Sequence, residues 1–299
     1  MIAEILLETP PQISRIARPK GGTAFGYARN FLDNRFVYTV ISPRARGLSV
    51  GVNMNPDKWC NFNCVYCEVD REQSAPEERL NVDVMAAELE RTLDLVYTRR
   101  IRDHPHYSAI PAQLLRLHHV CLSGDGEPTR CPNFLEAVEA VIHVRARMRW
   151  PFFKLVLVTN ATGLDRPEVQ HGLNLFTSKD EIWAKLEAGT QEYMQRVNKT
   201  DSTLDEILAT ILRLAIKRPV IIQSLFPSIR GEAPPQHEIE AYVQRLKELT
   251  DAGAQIPLVQ IYSATRPASH SECGHLPLRT LSAIARRVVE VTGLKAEVF

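Results

Sequence analysis

From Gly47 onward, short apolar runs alternate with longer amphipathic stretches, and this alternation narrows the possible folds more than any other feature of the chain. Repeated βα units bury their strands on both faces and require a parallel sheet covered by helices. The pattern predicts strands at 47–53, 117–123, 153–159, 181–186, 219–225 and 256–262. Between and after them, residues 82–97, 133–147, 203–216, 236–250 and 277–292 place apolar side chains at three-to-four spacing, as helices with one buried stripe do. Six or seven such units are fewer than the eight that close a barrel. The expected fold is therefore α/β: a partial, laterally open (β/α)6 TIM-type barrel over 46–268, with a C-terminal flap and helix over 269–299. Residues 1–45, punctuated by Pro10, Pro11, Pro19, Gly21 and Gly22, read as an irregular N-terminal extension. In such a barrel, chemistry belongs at the C-terminal ends of the strands.

Composition excludes several classes. In 299 residues, 36 Lys and Arg balance 35 Asp and Glu, and 44% of residues are hydrophobic, so the chain is neither a polyelectrolyte nor disordered. A net charge of +1 advertises no nucleic-acid partner through a global field. No run approaches the ~20 apolar residues of a spanning helix; the best, around Val220–Ile222, ends within a few positions. Met1–Glu8 carries two acids and lacks the basic start and cleavage site of a secretory signal, so a cytoplasmic address and no membrane partner are expected. Six cysteines are too few for a disulfide framework of this size.

Three of those cysteines, Cys60, Cys64 and Cys67, crowd into a C-x3-C-x2-C loop directly after the first expected strand. Thiolates so placed in a reducing compartment point to a metal or cluster. A zinc site wants a fourth Cys or His at a paired spacing, and the nearest histidines, His104 and His106, lie on a connector. Iron–sulfur cubanes take soft thiolates, and one held by three leaves an iron open to an outside ligand. With Tyr66 before the last cysteine, the loop resembles that of the radical S-adenosylmethionine (radical SAM) superfamily. The resemblance implies a partial (β/α)6 barrel, a [4Fe-4S] cluster on Cys60, Cys64 and Cys67, and S-adenosylmethionine chelating the unique iron.

Further segments agree in order. Ser123–Thr129 contains Gly124, Asp125, Gly126 and Glu127; alone a surface turn, it is similar to the stretch that binds the methionine ammonium in that superfamily. The third strand ends in Thr159 and Asn160, resembling a strand end that lines the cofactor site. Lys185-Leu186-Glu187-Ala188-Gly189, followed by Arg196-Val197-Asn198, is similar to the K-L-D-A-G…R-x-N run of wyosine-synthase-like members, with Glu187 in place of Asp. Lys185 is expected as a catalytic-site residue, or as an ion-pair partner of Glu187 on the same strand face. Gln223 on the fifth strand and Tyr262, within a Y-S-x-T-R-P tail, complete the expected cofactor-binding set with Tyr66.

Of the other cysteines, Cys121 reads as strand core and Cys131 as a helix entry, while Cys273 sits in a loop after the sixth strand. That loop is a solvated connection, an active-site flap with Cys273 as a catalytic thiol, or a second metal site. The resemblance implies an enzyme that reductively cleaves S-adenosylmethionine to make a carbon radical. Its implied partners are a flavodoxin- or ferredoxin-type electron donor and a small-molecule or peptide substrate. Two alternatives stand beside this. One is wyosine-type tRNA modification, which the near-neutral charge does not favour and from which the absence of cysteine in residues 1–59 departs. The other is a non-catalytic iron–sulfur or zinc scaffold.

Overall fold

A computed structural model describes residues 27–28, 31–72, 75, 77, 79–147, 149–266 and 268–299. The N-terminal punctuation from Pro10 to Gly22, the Met1–Glu8 segment and Pro267 of the strand-six tail lie outside the described residues.

The sheet is built around six parallel strands: β3 (Gly47–Asn53), β4 (Leu117–Ser123), β5 (Lys154–Thr159), β6 (Glu181–Lys185), β7 (Ile221–Leu225) and β9 (Val259–Tyr262), adjacent in that order. Their limits fall within a few residues of those read from the apolar runs. β2 (Val37–Ser42) pairs antiparallel with β3, and β1 (Tyr27–Ala28) antiparallel with β2. β11 (Ala296–Val298) adds a parallel strand beyond β9. A separate two-stranded ribbon joins β8 (Ser228–Ile229) to β10 (Cys273–Gly274).

The structure adds two elements to the outline read from the sequence. The stretch before residue 45 is not irregular throughout, since Val37, Thr39 and Ile41 bury one side of a strand that extends the sheet. The C-terminal segment does more than supply a flap and helix, because its last residues pair with β9.

Helices follow the strands: α1 (Val82–Tyr97), α2 (Phe134–Ala146), α3 (Pro167–Asn174), α4 (Gln191–Asn198), α5 (Leu204–Lys217), α6 (Gln236–Asp251) and α7 (Leu278–Thr292). Local chemistry sets their ends. The Asn81 side chain accepts from Val84 N at 3.0 Å to start α1, a Thr203–Glu206 capping box starts α5, and Gly293 at φ 70° stops α7. Met85, Leu89, Leu93 and Val96 form the buried stripe of α1, each worth about 1.5–3 kcal/mol of burial.

Strand side chains alternate between two environments. One set, including Val50, Val52, Val120, Leu122, Leu155, Leu157, Ile182, Ile222 and Ile261, packs against the helices as the main core. The alternate set, Cys121, Val156, Trp183 and Ile221, forms its own cluster on the concave face, where His119 meets the Trp183 ring at 5.3 Å. The lumen is thus plugged at that level by side chains, and the strand ends above it carry the polar groups.

Candidate active site

The cysteine loop leaves β3 and is pinned along its length. Asn63 N donates to Asn198 O at 3.0 Å and Val65 N to Val197 O at 2.8 Å, tying it to the end of α4. Ser269 N and Oγ both donate to Cys67 O, at 2.7 and 2.9 Å, and His270 Nε2 lies 3.2 Å from Asn63 Oδ1. Phe62, Val65 and Tyr66 sink into the core. The three thiols between these anchors stay partly exposed.

Each sulfur accepts one N–H: Cys60 from Phe62 N at 3.4 Å, Cys64 from Asn198 Nδ2 at 3.4 Å, and Cys67 from an Arg71 guanidinium nitrogen at 3.5 Å. Burial raises the Cys60 thiol, and burial with Glu187 nearby pushes Cys64 up to about 12. Thiols held so high become thiolates when a cation takes the proton's place. Among the described residues no three His, Cys, Asp or Glu side chains converge on a single-ion site. Three separated thiols, each with an N–H donor, suit a cluster that offers each sulfur its own iron better than a mononuclear zinc centre.

The turn after β4 rides directly on this loop. A Cβ at Gly126 would lie 1.8 Å from Trp59 O, and one at Gly124, whose φ is 135°, 2.1 Å from Asn53 Oδ1. Asn53 at the end of β3 accepts from Asp125 N at 3.0 Å and donates to Asp125 Oδ2 at 2.9 Å. Beside it the Asn55 Oδ1 acceptor is buried without a hydrogen-bond partner. The glycines let the turn pack directly on Trp59 and Asn53, and the unpartnered Asn55 acceptor beside them has room for a donor the chain does not supply.

Glu127 is held by four donors. Its Oε1 accepts from Thr129 N at 3.1 Å, Thr129 Oγ1 at 2.6 Å and Thr159 Oγ1 at 2.5 Å, and its Oε2 from Asn160 N at 2.7 Å. With both oxygens so occupied, Glu127 and Thr159 join the β4 and β5 ends. Burial raises the Glu127 carboxyl, and these donors oppose that rise. Asn160 Nδ2 donates to Asn61 Oδ1 at 3.0 Å, so this residue also grips the cysteine loop.

At the end of β6 the structure draws the expected residues into one network. Glu187 Oε2 accepts from Tyr66 OH in a short contact and from Asn198 Nδ2 at 2.6 Å, while Oε1 lies 3.6 Å from Lys185 Nζ. Lys185 Nζ also donates to Tyr66 OH at 3.1 Å and stands 4.7 Å over its ring. Burial alone would lower the Lys185 ammonium, but Glu187 and neighbouring Tyr262, Cys64 and Cys67 outweigh it and hold it charged. The longer Glu187 side chain thus reaches tyrosine, lysine and asparagine at once, and Asn198 passes the connection on to Cys64. Gln223 Nε2 donates to Gln260 Oε1 at 3.1 Å across the β7–β9 pair.

Cys273 stands apart from this network. Its strand pairs with β8, its thiol is partly buried and raised by burial, and Cys273 N donates to His270 O at 3.2 Å. The loop bearing it does fold over the cysteine loop, through Ser269 and His270. Cys121 is buried within its strand, as read from the sequence, and Cys131, three residues before α2, is buried as well.

Sequence reasoning missed Asn53, Asn55 and Asn61. Their signal was present in a run of asparagines ending an otherwise apolar strand and entering a cysteine loop. It also missed Tyr38, whose hydroxyl crosses β3 to lie 2.7 Å from Ser123 Oγ at the mouth, against Gly51.

No protein-family model matches the chain. It is similar to a Helicobacter pylori UPF0026 protein, 27% identical over 186 residues that make up 60% of this chain and 51% of that one. The chain thus spans about half of that relative's length. The corresponding protein of H. pylori strain J99 is 24% identical over 245 residues, covering 79% and 70% of the two chains. Among solved structures, a radical SAM methyltransferase from Sphaerobacter thermophilus superposes with a TM-score of 0.60 at 14% identity, over 88% of this chain and 68% of that one. Streptococcus suis SuiB bound to S-adenosylmethionine gives 0.56 at 14% identity, over 86% and 52%. TYW1 with a lysine-pyruvate adduct gives 0.55 at 15%, over 87% and 85%. The resemblance drawn from the cysteine loop is met in the architecture: the chain has the partial-barrel fold of these radical SAM structures.

Proposed function

We propose that this chain is a radical SAM enzyme. It holds a [4Fe-4S] cluster on Cys60, Cys64 and Cys67 and binds S-adenosylmethionine between the Gly124–Gly126 turn and the β6 network. What carries this reading is the convergence of a three-thiol loop, a glycine turn seated on it and the Lys185–Glu187–Tyr66–Asn198 network at one end of a half-barrel. When bound, the reduced cluster supplies one electron and S-adenosylmethionine supplies the carbon radical that attacks a substrate.

The protein's own work is positioning. Asn198 and Arg71 donate to the Cys64 and Cys67 sulfurs and fix their orientation. Asp125, oriented by Asn53, presents an acidic edge to an ammonium, and Lys185 offers a charged donor to a carboxylate or ribose oxygen. Glu187 keeps Lys185 and Tyr66 in register. The loop carrying Ser269 and His270 covers the cysteine loop and limits water, and in this reading Cys273, farther along that loop, serves as a hydrogen donor to a product radical. The electron donor in this reading is a flavodoxin or ferredoxin, the substrate a small molecule or peptide, and the compartment the cytoplasm. Among the described residues no helix is long and apolar enough to cross a membrane.

Anaerobic reconstitution with iron and sulfide, followed by dithionite and S-adenosylmethionine, tests the proposal by mass spectrometry. Formation of 5′-deoxyadenosine or methylthioadenosine is expected. Iron incorporation with intact S-adenosylmethionine would overturn the enzymatic reading in favour of a scaffold.

A further inference from the structure

The turn between β2 and β3, Pro43–Arg46, does not project into solvent as a hairpin tip usually does. Arg46 forms a 2.8 Å ion pair with Glu297 of β11, so the turn bridges toward the far edge of the open sheet. Arg44 then points into the curl. Its guanidinium carbon stands 4.0 Å over the ring of Tyr262, and it is close enough to buried His119 and Cys121 to act on both electrostatically. His119 and Cys121 alternate with helix-facing Val120 and Leu122, which places Arg44 on the concave side.

Among the described residues this guanidinium lacks the partner such a group ordinarily has. Its Nε is buried with no hydrogen bond, and among the described residues no carboxylate pairs with it. The nearby acids are committed: Glu181 to Lys154 at 2.6 Å and to Trp183 Nε1 at 2.9 Å, Glu187 to Tyr66, Asn198 and Lys185. His119, pulled down to about 3 by burial and by the cations Lys154 and Arg44, is a neutral neighbour. Stacking on Tyr262 fixes the plane of the fork while leaving its donors free, and Arg presents two parallel N–H groups suited to planar or tetrahedral oxyanions.

We infer that Arg44 is a substrate anchor that grips an anionic group, a carboxylate or a phosphate, within the barrel, on the Tyr262 side of the lumen. The substrate class is therefore a molecule carrying such a group. The inference rests on the enzymatic reading for what happens to the bound molecule, whereas the binding needs neither iron nor S-adenosylmethionine.

The test titrates the full-length chain, 15N-labelled at its tryptophan indoles, with inorganic phosphate in one arm and acetate in the other. Trp183, beside His119, reports from the lumen, and exposed Trp59 serves as reference. A saturable shift of Trp183 is expected in at least one arm, and the arm with the lower midpoint identifies the anion. Arg44→Gln should raise that midpoint by about tenfold or more, the scale of one lost charge-assisted bidentate contact. Arg99→Gln, an exposed arginine on a connector, should leave it unchanged. Absence of a saturable Trp183 shift in both arms, or an equal midpoint in Arg44→Gln, overturns the inference. Should Arg44→Gln not fold, phenylglyoxal modification of the wild-type chain decides: protection of Arg44 by the anion supports the anchor and equal modification refutes it. S-adenosylmethionine cleavage is scored separately, so either reading can fail without the other.

Discussion

Gly126→Ala is the sharpest single perturbation of the cysteine loop. The added Cβ would lie 1.8 Å from Trp59 O, 2.8 Å from Trp59 C and 2.7 Å from the Asn55 Cβ, whereas real Cβ contacts stay above 3.0 Å. Two of the three obstacles are backbone of the residue preceding Cys60, so no side-chain rotation relieves the clash. The loop must retreat by about 1 Å or more, a displacement that by itself can cost on the order of 10²-fold where reacting groups must be aligned. The overpacking should also cost about 1–3 kcal/mol, or about 2–6 °C in melting temperature for a chain of this size. Anaerobic reconstitution followed by iron and sulfide analysis, visible absorbance and thermal unfolding measures both effects. Gly253→Ala provides the comparison: its φ is 91° and nothing lies within 4 Å, so it should lose stability through backbone strain while retaining full iron. A Gly126→Ala protein that melts and takes up iron like wild type would refute the claim that the turn is seated on the loop.

Other outcomes follow from the same geometry. Cys64→Ala should abolish iron absorbance and turnover, whereas Cys121→Ala and Cys131→Ala should retain iron, because those thiols are buried and lie outside the C-x3-C-x2-C loop. Glu187→Asp, which restores the shorter acid of the wyosine-type run, should lower turnover, since one fewer methylene cannot reach Tyr66, Lys185 and Asn198 together; steady-state kinetics of S-adenosylmethionine cleavage reads this. Asp180 accepts from both Arg145 terminal nitrogens, Leu155 N, Thr177 N and Thr177 Oγ1, with its side chain 0% exposed, so Asp180→Ala should cost about 3–5 kcal/mol in denaturant unfolding. Burial would raise the Asp180 carboxyl, but Arg145 and the amide donors hold it below its ordinary value. Its stabilisation is therefore complete at neutral pH and fades as acid drives pH below about 4 and through the lowered folded value; Asp180→Asn should flatten that acid limb.

The barrel was legible because its signals are local and repeated. In α1 the Asn81 cap and the spacing of Met85, Leu89, Leu93 and Val96 define both ends, and the β strands announce themselves as apolar runs of the right length. α4 was not read as a helix, since within Gln191–Asn198 only Tyr193, Met194 and Val197 are apolar and two turns give periodicity little room. β11 spans three residues, too few to carry a pattern. β2 does alternate, but the proline- and glycine-rich stretch before it hid the strand. In the site, residue types located the loop, turn and network, yet not which partner each side chain would choose. Glu127 joins two strand ends through four donors, and Arg44, unremarked in the sequence, enters the barrel from the turn before β3. Such allegiances are decided by tertiary distances that no local spacing encodes.

The hydrogen bonds from Ser269 to Cys67 O link the first strand-end loop to a segment made some two hundred positions later. During synthesis residues 60–67 emerge early, whereas the groups that contact them, first Asn198 at the α4 terminus and then Ser269, follow 134 and 202 positions after Cys64 and Cys67. Covering of the loop therefore waits on long-range contacts, and a nascent chain halted before Ser269 would leave the three thiols open to whatever metals or oxidants reach them.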